Sequence, residues 1–171
     1  MPIDLERPFV PLRIGVLTIS DTRTPEDDTS GDLLAKLASD AGHEVVCRTI
    51  VADDQAMIQE MFRTWAADAS IQVVISTGGT GLTRRDVTPE ALTAVADKII
   101  VGFGELFRHV SYGSVGTSTI QSRAMGAIVA GTPVFALPGS NGACRDGWSV
   151  LCDQLDSRHR PCNFVQIMDR L

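Results

Sequence analysis

Between residues 37 and 97 the chain has no lysine, and that span holds its one dense glycine cluster, Gly78-Gly79-Thr80-Gly81. A Walker-type phosphate loop, which closes on Gly-Lys-Ser/Thr, is therefore excluded there. The dinucleotide fingerprint Gly-x-Gly-x-x-Gly fails too, because Arg84 occupies its last position. No Cys-x-x-Cys pair is present, and the four cysteines (47, 144, 152 and 162) lie far apart. A metal site from Cys152, His159 and Cys162 matches no zinc spacing, so the thiols read as buried or incidental ones in a reducing cytosol. Basic surplus is missing as well: the formal net charge is −6, against the positive field of a nucleic-acid binder. The first dozen residues carry no apolar leader segment, and no apolar run approaches the roughly 20 residues of a membrane span. The expectation is a soluble, cytoplasmic chain forming a single domain over 1–171, with 1–12 as an N-terminal extension and neither nucleic acid nor membrane as partner.

Buried strands and amphipathic helices alternate instead. Arg13–Ser20, Glu44–Val51, Gln72–Ser76 and Pro133–Leu137 are apolar runs of strand length, with a weaker one at 124–130. Leu33, Leu34, Leu37, Ala38 and Ala41 recur at helical spacing, as do Ile58, Phe62, Trp65 and Ala69. Asp53 or Asp54 suits the cap of the second helix. Thr88-Pro89-Glu90 opens another, with threonine as cap and proline in the first turn. A short helix is expected over 102–110, a Ser/Thr/Gly-rich connection over 111–119, and a last helix to about 155. This order predicts an α/β fold with three layers, a mostly parallel sheet with helices on both faces. In such sheets ligands bind beyond the carboxyl ends of the strands. The loops Ser20–Arg23, Thr77–Gly81 and Pro138–Gly142 would then share one edge and line one pocket.

The glycine loop admits two readings: a cradle whose amides approach an anion, or a tight turn that needs glycine for steric reasons. Asp86 suits Mg²⁺, which takes one or two protein carboxylates beside substrate phosphates, or else pairs with Arg84 or Arg85 on the surface. Of Asp53 and Asp54, one caps the helix and the other is left over. Arg23 and Arg123 are candidates for phosphate oxygens. His43, His109 and His159 lie near no nucleophile and read as structural or exposed. The residues alone support a phosphorylated ligand, with or without Mg²⁺.

Taken together, Thr77-Gly78-Gly79-Thr80-Gly81, Arg85-Asp86, Thr88-Pro89-Glu90 and Gly102-Phe103-Gly104-Glu105 resemble the molybdopterin-binding family of molybdenum cofactor biosynthesis. Ser20-Asp21, Asp28-Thr29-Ser30-Gly31, Ser122-Arg123-Ala124 and Leu137-Pro138-Gly139-Ser140 continue the pattern from about residue 13 to 164. The ending Arg160–Phe164 is most similar to the bacterial B type. The resemblance implies a Mg²⁺-dependent adenylyltransferase acting on molybdopterin and ATP, assembled as a trimer or hexamer. It implies Asp53 and Asp86 as catalytic and metal-holding acids. It also implies Ser20, Asp21, Thr77, Gly78, Gly79, Thr80, Gly81, Glu90, Ser122, Arg123, Pro138, Gly139 and Ser140 as substrate-binding. A non-catalytic carrier or scaffold, and a nucleotide-cleaving relative, are the alternatives.

Overall fold

The computed structural model describes residues 3–171, so Met1 and Pro2 of the expected extension lie outside the described residues. Six strands form one sheet: β1 (Arg13–Ile19), β2 (Glu44–Val51), β3 (Val73–Thr77), β4 (Lys98–Ile100), β5 (Met125–Val129) and β6 (Thr132–Leu137). Their spatial order is β2-β1-β3-β6-β5-β4. The first four in that order are mutually parallel, whereas β5 runs against both of its neighbours. Ala130 and Gly131 close the β5–β6 hairpin with φ of 46° and 82°, the left-handed pair that suits a two-residue turn.

Alternation along the strands sorts the core into two layers. Ile14, Val16, Val73, Ile75, Phe135 and Leu137 face α1 (Thr29–Asp40), α4 (Val101–Val115) and α5 (Asn141–Leu155). Leu17, Ile19, Val74, Val134 and Ala136 face α2 (Gln55–Ala67) and α3 (Thr88–Val95). Burial on both sides explains why these strands read as continuous apolar runs. β2 lies to one side of β1 and β3 to the other, so the chain reverses its direction of travel across the sheet there. Crevices for ligands open at such reversals.

Three expectations need correction. The edge strand β4 was not anticipated, since Lys-Ile-Ile is too short to show an alternation. The connection expected over 111–119 is helical: α4 runs to Val115 and continues as a 3-10 turn over Gly116–Gln121. Its serines are accommodated because Ser111 and Ser114 hydroxyls donate to Asp146 on α5 at 2.8 and 3.2 Å rather than competing for local backbone. Thr88 is not the cap of α3. It lies inside the helix, fully buried.

Candidate active site

All three loops predicted to share an edge do so, and they enclose a cavity of about 540 Å³. Ser20, Asp21, Thr77, Gly78, Gly79, Thr80, Gly81, Pro138, Gly139 and Ser140 line it, joined by Asp53 from the β2–α2 turn and Asp86 beyond the glycine loop. Asp54 is the cap of α2, its carboxylate accepting from Met57 N at 2.9 Å, which leaves Asp53 for the cavity.

Glycine is required in the loop for steric reasons. Gly78 has φ of 109°, and a Cβ there would stand 2.1 Å from the Ile19 carbonyl oxygen. At Gly79 (φ 64°) a Cβ would meet the Thr88 hydroxyl at 2.4 Å. This tightness is not the whole of it. Thr88 donates its hydroxyl to Gly78 O and its amide to Gly79 O, at 2.9 and 3.0 Å. Arg123 donates its amide to Thr80 O at 3.0 Å and its Nε to Gly81 O at 2.8 Å. All four loop carbonyls are thus tied away from the cavity, while the amides of Gly79 and Thr80 find no protein acceptor among the described residues. Amides left over in this way are what a backbone nest offers an anion. The two readings of the loop are one arrangement.

Arg123 and Glu90 lie outside this cavity. The Arg123 guanidinium also donates to the backbone carbonyl of Asp86 at 2.6 Å and pairs with Glu90, so its nitrogens are committed to holding the loop. Ser122 lines a second, adjoining cavity. Arg85 pairs with Asp21 across the mouth of the first, and Arg23 lines it with one guanidinium nitrogen on Asp27 O at 2.8 Å.

Asp53 and Asp86 are held differently. Asp53 exchanges hydrogen bonds with Asp21: its Oδ2 accepts from Asp21 N at 3.2 Å and its own amide donates to Asp21 Oδ1 at 3.0 Å. Burial, and then the neighbouring Asp86 charge, pushes its carboxyl above the usual range. Burial acts on Asp86 in the same sense but is outweighed by hydrogen bonds from Thr83 and Gly81 and by the Arg123 charge, so its carboxyl lies below the usual range. Thr83 N donates to Asp86 Oδ2 at 2.8 Å. Two acids in one cleft whose surroundings drive their carboxyls apart make a candidate functional site.

A family model described as a probable molybdopterin binding domain matches residues 15–157. The chain belongs to this family. It is 48% identical over 157 residues to molybdenum cofactor biosynthesis protein B of Escherichia coli (strain K12), covering 91% of this chain and 92% of that one. A crystal structure of molybdenum cofactor biosynthesis protein B superposes with a TM-score of 0.79 at 47% identity, over 81% of this chain and 87% of the other. The tungsten cofactor synthesizing protein MoaB from Pyrococcus furiosus superposes with a TM-score of 0.75 at 36% identity, over 85% and 92% of the two chains.

Sequence reasoning gave Thr88 and Arg123 other tasks and did not single out Thr83, Ser111 or Asp146. Ser111, Asp146 and Arg123 find partners distant in the chain, which leave no local spacing to read, whereas Thr83 bonds Asp86 three residues on, a spacing that could have been read. The histidines do not line the cleft, and among the cysteines Cys144 packs behind it, its buried thiol 3.4 Å from the Thr77 hydroxyl. His43 is buried and its Nδ1 accepts from Leu12 N at 3.2 Å. No trio of His, Cys, Asp or Glu among the described residues stands close enough to share a metal ion.

Proposed function

We propose that this protein acts in molybdenum cofactor biosynthesis as a molybdopterin adenylyltransferase, transferring AMP from ATP to the terminal phosphate of molybdopterin with release of pyrophosphate. The observation that carries this reading is the convergence of Asp53 and Asp86 on one cavity beside a loop whose carbonyls are bonded elsewhere and whose Gly79 and Thr80 amides have no protein acceptor among the described residues. The names of the relatives supply the pathway.

The cavity carries three carboxylates (21, 53, 86) against the guanidiniums of Arg23 and Arg85, so a polyphosphate needs further positive charge to enter. The raised Asp53 carboxyl beside Asp86 is the environment that a cation relieves, and Mg²⁺ accepts one or two carboxylates while keeping waters and substrate phosphates. These residues fit it, and Asp53 and Asp86 would hold it. Bound there, it would neutralise phosphate charge during transfer.

The chain's own residues then position the reactants. The Gly79 and Thr80 amides receive phosphate oxygens, and Arg23 and Arg85 add charged donors at the mouth. The Thr80 hydroxyl, 1% exposed and without a hydrogen-bond partner, stands where both cavities meet. A phosphate oxygen of molybdopterin attacks the α-phosphorus of ATP, one phosphorus–oxygen bond forms, and the bond to pyrophosphate breaks with its electron pair. No covalent enzyme intermediate is required, so positioning and charge stabilisation carry the rate.

Assembly as a trimer or hexamer belongs to the same proposal. Supporting it, α4 and the following turn expose Val101, Tyr112, Val115 and Ile120 together, an apolar set of the kind that subunit contacts cover.

The test is chromatography of molybdopterin incubated with ATP and the protein, with and without Mg²⁺. Adenylylated molybdopterin formed only with Mg²⁺ is the expected result. Tight binding without product would instead make the protein a carrier or scaffold.

A further inference from the structure

Two turns face each other across the mouth of the first cavity. The Ser20–Arg23 turn is fixed from within, because Ser20 Oγ accepts from Thr22 N and from Arg23 N, each at 3.2 Å. The Thr83–Asp86 turn is fixed likewise: Asp86 N donates to Thr83 O at 3.1 Å, and Thr83 N donates to Asp86 Oδ2 at 2.8 Å. Among the described residues, the ion pair of Arg85 with Asp21 is the single polar bond between these turns. Asp21 is also bonded to Asp53, its Oδ1 accepting from Asp53 N at 3.0 Å. Arg85, Asp21 and Asp53 therefore form a chain from the lip of the cavity to one of its two candidate acids. The Arg85 side chain is 70% exposed and that of Asp21 26%, so the pair can open at small cost.

We infer that Asp21 is a specificity-determining residue: it holds Arg85 away from free anions and makes the cavity selective for a polyphosphate that arrives with a divalent cation. The inference deepens the transferase reading and rests on it for the polyphosphate. A phosphate oxygen takes a charged bond from Arg85 only by displacing the Asp21 carboxylate. A bare anion that does so leaves Asp21 unpaired beside Asp53 and Asp86, and adds its own charge to three carboxylates. Like charges at such range repel. A cation entering with the phosphates offsets the acids that Arg85 leaves, so the exchange of partners is balanced. The Arg85–Asp21 pair is thus an autoinhibitory latch, closed to free phosphate and pyrophosphate and open to their metal complexes.

The test is calorimetric titration of inorganic pyrophosphate into the full chain, with EDTA and with excess Mg²⁺, for wild type, Asp21→Asn, Arg85→Ala and the double variant. Asp21→Asn, which keeps an oxygen for the Asp53 amide, should tighten metal-free binding by about 3- to 5-fold, the size that an exposed pair allows. With Mg²⁺ it should not tighten binding, so the preference for the metal complex falls by the same factor. In the Arg85→Ala background the substitution should change metal-free affinity by less than ~2-fold, because no latch is left to open. An equal gain in both backgrounds would make Asp21 a source of general repulsion and overturn the latch. No gain in either, or the same gain with and without Mg²⁺, would overturn it too. Melting curves on the same samples check folding, and Asp21→Ser takes the place of Asp21→Asn if that variant does not fold. Metal selectivity that depends on Asp21 and Arg85, in a protein that transfers no adenylyl group, would sink the transferase reading and leave the latch standing; transfer with selectivity unmoved by Asp21→Asn would do the reverse.

Discussion

The two edges of the sheet handle charge in opposite ways. At the amino edge, where β1 and β2 begin and α5 ends, almost every polar group is compensated. Arg158 chelates Asp156 with its Nε and a terminal nitrogen, at 2.7 Å for the shortest contact, and lies over the Phe9 ring. Arg160 pairs with Asp4 at 2.6 Å, Ser157 bridges Pro8 and Val10, and His43 packs tilted against Phe9 and edge-on to Trp148. His159 Nδ1 is the exception, buried at 3.6 Å from Asp153. At the carboxyl edge, carboxylates face each other, loop amides lack acceptors and a buried threonine hydroxyl lacks a partner. One edge fastens the termini to the core; the other leaves polar groups without protein partners, where the proposed ligands would bind. Such incompleteness costs stability and persists at functional sites.

The contrast is broken most severely at Asp86. Asp86→Asn keeps the shape and removes the charge, and turnover should fall by ~1,000-fold or more, with pterin binding nearly unchanged and only a modest loss of melting temperature at neutral pH, because the carboxyl held low by Thr83 and Gly81 stabilises the folded loop. Equal loss of binding and turnover in a folded variant would mean that Asp86 positions the loop rather than serving the reaction. Gly78→Ala should cost about 3 kcal/mol or more, because positive φ and the Ile19 carbonyl both oppose it; denaturant unfolding checks this. Arg158→Ala should lower the melting temperature modestly with turnover intact. The Asp156 carboxyl is held below its usual range, first by the Arg158 hydrogen bond. Its contribution is therefore fully present above the unfolded carboxyl value and lost as pH falls through the folded one, so wild type and variant should converge in acid.

The smallest effect has the opposite sign. Asp53 is raised, so its ionised form weighs against the folded state once pH exceeds the folded value. Asp53→Asn should therefore melt slightly higher than wild type at neutral pH, with the advantage vanishing as pH drops through the carboxylate range. Added Mg²⁺ should raise the melting temperature of wild type by a few degrees and leave Asp53→Ala unmoved. A wild type indifferent to Mg²⁺ would count against the metal role of the pair.

How much of this was legible depended on whether the cause was local. Four of the six strands stood out as apolar runs: burial on both faces writes itself into consecutive residues of β1, β3 and β6, while the half-buried edge strand β2 shows through Val45, Val46, Ile50 and Val51. The glycine loop and the acids after it were visible because strand ends and caps follow chain order. β4 was lost to its brevity, and the extension of α4 to a serine run whose partner sits on α5. Arg123 was expected at a phosphate, yet its donors hold Gly81, Asp86 and Glu90. Nothing in Ser122-Arg123-Ala124 says which oxygen a guanidinium will find across the fold. Asp146 was invisible for the same reason, since its serines lie 35 and 32 positions away.

The most direct test of the central claim is to measure turnover with ATP, molybdopterin and Mg²⁺, and melting temperature on the same samples, for Asp53→Ala, Asp86→Ala and Arg158→Ala. The account predicts that the two carboxyl-edge variants lose turnover far out of proportion to any change in melting, and that the amino-edge variant melts lower while turning over normally. Carboxyl-edge variants that retain turnover, or that lose it only in proportion to their stability, would contradict the account.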